Sequence, residues 1–110
     1  MRLKSKTMRI AQLAPLWERV PPPAYGGIEV VVHVLTEELV RRGHEVTLFA
    51  SGDSLTTARL ISVWDRSLRT AVDIVNPAPY EWLHVAEALS RALEFDIIHN
   101  HQGELAMAFA

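Results

Sequence analysis

The chain has 110 residues, 49% of them hydrophobic and 22% charged, enough apolar content for one packed domain and too much for a disordered tail. Eleven Lys and Arg against 13 Asp and Glu give a formal charge of -2, which offers no basic footprint and excludes nucleic acid as an expected partner. The absence of cysteine removes disulfide scaffolds, thiolate zinc sites, iron–sulfur clusters and cysteine nucleophiles together, and fits a reducing compartment such as the cytoplasm.

Residues 1 to 7 are basic and polar and read as a flexible leader ahead of a domain spanning 8 to 110. No secretion signal follows, because the next apolar stretch carries Gln12 and stops at Pro15. No apolar run approaches the roughly 20 residues of a membrane span, so no transmembrane segment is expected. Met8 to Ala14 reads as a buried strand of a parallel sheet. A long loop with Pro21-Pro-Pro23 leads to a helix opened at Gly27 and stopped by Gly43, with Ile28, Val31, Val32, Leu35 and Leu39 as its expected buried stripe. Glu45 to Ala50 forms the second strand, and Leu60 to Trp64 the third. Pro79 falls in the first turn of a second helix, whose expected stripe is Trp82, Val85, Ala86, Leu89 and Leu93, with Glu87 and Arg91 paired on the outer side. Phe95 to Asn100 is the fourth strand, and Gln102 to Ala110 begins another helix.

Alternating strands and helices imply an α/β fold, a doubly wound parallel sheet of Rossmann-like type, with the fourth strand beside the first on the side away from the second. No further strand covers the outer edge of the fourth. That open apolar edge implies a domain truncated at its C-terminal end, or self-association through the edge.

In such a sheet ligands bind beyond the carboxyl ends of the strands, at the switch between the first and fourth. Tyr25-Gly26-Gly27 precedes the first helix, where free backbone N–H groups and the positive helix end can meet a phosphate; the plain structural alternative is a tight turn. Glu29 in the first turn and the lack of a full G-x-G-x-x-G pattern pull against the anion reading. His99 and His101 leave the fourth strand on one face. They are a metal pair lacking an evident third ligand, a catalytic or substrate-binding site, or one buried and one surface histidine. Asp53 stands where dinucleotide enzymes hold a ribose hydroxyl, or forms an Asx turn. Trp17, Arg19 and Tyr25 in the long loop suit a sugar ring or an anionic acceptor, or simply pin the loop. The three prolines resemble a polyproline ligand, although stiffening a loop is their commoner use. His33, His44 and His84 receive no role, and Trp82 is expected in the core.

Four ordered segments, Met8-Arg-Ile-Ala-Gln-Leu-Ala-Pro15, Pro23-Ala-Tyr-Gly-Gly-Ile-Glu-Val30, Leu39-Val-Arg-Arg-Gly-His-Glu-Val-Thr-Leu-Phe-Ala50 and Phe95-Asp-Ile-Ile-His-Asn-His101, together resemble the amino-terminal domain of GT-B type retaining glycosyltransferases of family 4. The resemblance implies transfer of a sugar from a nucleotide-diphosphate sugar to an acceptor with retention, with no cofactor and no metal. It implies a C-terminal Rossmann-like partner domain holding the nucleotide, so that this chain alone is inactive. Carried over by motif, Gly26 and Gly27 bind the donor phosphate and His101 is the catalytic position. Tyr25, Arg19 and His99 fall on the acceptor side. The rival class is a non-catalytic Rossmann-like module that binds a nucleotide or a partner.

Overall fold

A computed structural model describes residues 7–71 and 73–103. Its elements run β1 (Arg9–Leu13), α1 (Gly27–Arg41), β2 (Glu45–Phe49), β3 (Arg59–Ile61), α2 (Ala78–Ser90) and β4 (Ile97–Asn100), with short 3-10 turns at Leu68–Thr70 and Ala92–Glu94. The four strands form one all-parallel sheet in the order β3-β2-β1-β4, the α/β Rossmann-like arrangement expected from the alternation of elements. The expected helix from Gln102 onward falls mainly on residues 104–110, outside the described residues.

Strand alternation divides the core into two layers. On one face Leu48, Ala14 and Ala50 pack with Val20 of the long loop and Val32 of α1. On the other, Ala11, Leu13 and Phe49 meet Val85 and Ala88 of α2, with Phe95 edge-on to Phe49 at 5.8 Å. The helices thus cover opposite faces, as right-handed crossovers running in opposite directions from β1 require.

Both helices keep only part of the stripe expected of them: Val32 and Val85 are buried as expected, and Leu89 packs on the core, while other members are not. α1 buries Glu29, Val32 and Thr36. Ile28 and Val31, assigned to the core by periodicity, are instead 54% and 57% exposed. The helix is apolar almost all round between Ile28 and Leu35, so periodicity selects no unique face. The choice falls to the polar match between Thr36 and the buried Gln12 of β1. α2 buries His84, Val85 and Ala88, leaving Trp82 half-exposed, Ala86 exposed and Leu93 outside the helix in the second 3-10 turn. Small Ala88 lets the helix approach Ala11 and Leu13, and His84 binds the carbonyl of Ala14, a polar anchor that hydrophobic periodicity does not register.

β3 is shorter than expected and earlier. Leu60 and Ile61 pair with Leu48 and Phe49, then Ser62 turns back onto the Trp64 carbonyl and the indole of Trp64 leaves the sheet to pack on Tyr80, centroids 4.8 Å apart. β4 begins at Ile97, because Asp96 is used as a clamp: its carboxylate accepts from the Arg9 backbone N–H at 2.8 Å and from the guanidinium at 3.0 Å. The expected end of α1 holds. Gly43, at φ +90, takes the left-handed position that follows the helix, so that His44 N–H reaches the Leu39 carbonyl and Gly43 N–H the Val40 carbonyl. The Glu87 to Arg91 pair forms at 2.7 Å.

Candidate functional site at the carboxyl ends of β1 and β4

The loop from β1 to α1 is pinned at several points rather than spread over solvent. Val20 N–H donates to Ser54 Oγ at 2.9 Å, and Leu55 N–H to the Val20 carbonyl at 2.7 Å. The first 3-10 turn docks from the other side, with Leu68 N–H on the Leu16 carbonyl and Arg69 N–H on the Trp17 carbonyl. This brings Arg69, a residue the sequence did not single out, to the mouth of the loop. Its guanidinium lies 5.1 Å from the Trp17 ring centre, and its Nε donates to the buried carboxylate of Glu18.

Between this turn and the start of α1 lies a cleft of about 390 Å³ lined by Pro15, Trp17, Glu18, Tyr25, Gly26, Gly27, Ile28, Glu29 and Arg69. A second hollow of about 280 Å³ adjoins it through Glu18, Tyr25 and Arg69. Tyr25 is 88% exposed beside both. Arg19, expected in the same role, lines neither hollow, and Arg69 is the guanidinium that does. Gly26 is the residue before the first turn of α1, and a Cβ there would stand 2.8 Å from Glu29 Oε1 and 2.9 Å from Pro22 Cβ. Glycine is therefore required by close approach. A Cβ on Gly27 would meet nothing within 4 Å, so its surface is open to a ligand. Glu29 in the first turn is buried, held where a carboxylate complements the positive end of the helix.

The second half of the site comes from β4. Leu13 of β1 is in register with Asn100, and His101 N–H donates to the Leu13 carbonyl at 2.8 Å, which extends the ladder one residue past the strand. His99 and His101 share one face as alternation requires, with ring centres 4.0 Å apart and planes tilted by 38°. His101 Nε2 lies 3.1 Å from Oε1 of Gln12, which is fully buried and whose Nε2 is 3.4 Å from Thr36 Oγ1. Burial first, and then the neighbouring His99, lower the His101 pKa from the ordinary histidine value. Among the described residues no group of three or more His, Cys, Asp or Glu side chains is placed to hold a metal ion. The arrangement instead offers an oriented imidazole at the carboxyl end of β4, on the strand next to the one that feeds the loop to the start of α1.

Asp53 has both carboxylate oxygens engaged within the protein, Oδ1 by Ser51 Oγ at 2.5 Å and Oδ2 by Ser67 N–H at 3.1 Å. It ties the β2 end to the first 3-10 turn. His84, given no role by its sequence position, is buried on α2, with Nε2 donating to the Ala14 carbonyl at 2.5 Å. Burial pushes its pKa down to about 4 although that hydrogen bond works in the other direction. Gln12, Thr36, Glu18 and Arg69 are the residues that sequence reasoning missed. Gln12 did carry a signal, as the one polar side chain between Ile10 and Ala14 in a buried strand.

Residues 25–110 match the family model described as Glycosyltransferase Family 4. No curated protein sequence matches the chain. Among the described residues no helix is long and apolar enough to cross a membrane.

Proposed function

This chain belongs to glycosyltransferase family 4, and from that membership we propose that it forms the acceptor-side half of a GT-B enzyme that moves a sugar from a nucleotide-diphosphate sugar to an acceptor with retention of configuration. The observation that carries the proposal is the placement of His101. It stands one residue past β4, hydrogen-bonded to β1 through both its backbone and its ring. The strand that holds it runs beside the one that feeds the loop to Gly26 and Gly27.

In this reading the donor diphosphate lies against the N-terminus of α1, where Gly27 exposes main chain and the free N–H groups favour negative charge. His101 orients the donor sugar and the acceptor hydroxyl by hydrogen bonding; it is not the nucleophile. The acceptor occupies the cleft beside Tyr25 and Arg69, with His99 on the same side of the reaction. Its ring stacks on an aromatic face and its hydroxyls meet the polar groups of the loop. Nucleotide binding and stabilisation of the leaving diphosphate come from a second Rossmann-like domain, so the half described here is inactive alone. The chemistry uses no metal and no cofactor.

The test is His101→Ala in the full-length enzyme, assayed with a set of nucleotide-diphosphate sugars and with the anomeric configuration of the product read by NMR. Loss of an orienting group is expected to lower turnover about a hundredfold while nucleotide affinity stays nearly constant. Turnover at the parent rate removes His101 from the site, and an inverted product refutes the retaining assignment.

A further inference from the structure

Gln12 is an anomaly in β1. Its neighbours Ile10, Ala11, Leu13 and Ala14 are buried and apolar, and an amide in that position costs stability unless its donor and its acceptor are both satisfied. Both are engaged, by two different elements. Gln12 Nε2 lies 3.4 Å from Thr36 Oγ1 of α1, itself fully buried, and Gln12 Oε1 lies 3.1 Å from His101 Nε2 beyond β4. A carbonyl oxygen can only accept, so the proton of this last bond sits on the imidazole Nε2. As placed, the amide NH2 is directed to Thr36 and the oxygen to the ring; the reversed amide would instead accept from the Thr36 hydroxyl and donate to the ring, so the tautomer reports which way the amide is held.

We propose that Gln12 is a positioning residue for His101: it fixes the imidazole in the Nε2–H tautomer and leaves Nδ1 as the ring nitrogen that accepts a hydrogen bond from a substrate hydroxyl. The proposal rests on the role given to His101 above. It adds that the β1 amide, and through it α1, decides which nitrogen of His101 acts. The depressed proton affinity of His101 supports it, since a tautomer has meaning only for the neutral ring. Among the described residues His99, its ring centre 4.0 Å away, acts on His101 in the same direction as burial.

The experiment uses the full-length protein with 15N-labelled histidine and reads the His101 ring by long-range proton–nitrogen correlation at pH 7.5. The parent protein is expected to show Nε2–H over Nδ1–H by tenfold or more. Gln12→Met keeps the volume and removes the acceptor, and is expected to lower that ratio at least threefold. Gln12→Asn keeps an amide but withdraws it by one methylene, and is expected to act in the same direction. It carries the test if the methionine variant fails to fold. A parent ring in the Nδ1–H form, or a ratio unchanged in the folded variant, overturns the proposal. In transfer assays Gln12→Met is expected to lower kcat about tenfold with nucleotide affinity unchanged. The NMR readout needs no substrate. An unchanged ratio therefore counts against Gln12 alone, whereas normal transfer by His101→Ala counts against the role of His101 alone.

Discussion

Acidification should loosen this fold through His84. The side chain is buried against β1, it donates to the Ala14 carbonyl, and burial lowers its pKa from 6.5 to about 4. In the unfolded chain the imidazole regains the ordinary value, so between about pH 6.5 and pH 4 the unfolded state binds the extra proton and stability rises with pH. The contribution is fully present above the unfolded pKa and is lost as the pH falls toward the folded one. At about 1.4 kcal/mol per pKa unit the full loss is about 3 kcal/mol, of which about 2 kcal/mol is reached by pH 5. The paired carboxylates act lower. Glu38, held down to about 2 by hydrogen bonds from Arg41 and Arg42, contributes only as the pH falls below the usual carboxylate range. His101, also lowered by burial, adds to the slope with the same sign. The assay is urea unfolding at pH 7 and pH 5 on the parent chain and on His84→Gln, which keeps an amide donor near the Ala14 carbonyl and cannot titrate. The variant should lose most of the pH dependence in this window. Equal slopes in the two proteins would show that His84 titrates normally in the folded state and would refute the burial argument.

Three contrasts test the packing around the site. Gly26→Ala forces a Cβ against Pro22 and Glu29 and should cost on the order of 1–3 kcal/mol in urea unfolding. Gly27→Ala meets no atom and should stay within about 0.5 kcal/mol of the parent, while weakening donor binding if the phosphate lies there. On α1, Val32→Ala should cost about 2 kcal/mol because Val32 is fully buried, whereas Val31→Ala, at a position more than half exposed, should be close to neutral. A loss at Val31 as large as that at Val32 would restore the stripe expected from periodicity, which held both residues.

The elements and their order were legible because each rests on a local signal. Gly43 ends α1 through a left-handed turn that only its own φ and the last carbonyls require, and the apolar run around Ile10 needs no partner to be recognised as a strand. The strand order followed as well, since crossover handedness leaves few ways to arrange such a chain. Period-two alternation likewise placed His99 and His101 on one face.

What the sequence left open depends on contacts between residues far apart in the chain. The face of α1 was undetermined because apolar side chains nearly surround it, and a buried amide 24 positions away in sequence settled it by binding Thr36. The cleft beside Gly27 has the same origin. Arg69 reaches it from a turn held to the Leu16 and Trp17 carbonyls, 51 positions from the Glu18 that binds its guanidinium. The sequence determined which residues stand at strand ends, where a parallel sheet presents chemistry. Tertiary structure alone decided which polar groups meet there, because the desolvation cost that pairs Gln12 with His101 and His84 with Ala14 arises only once the layers close over them.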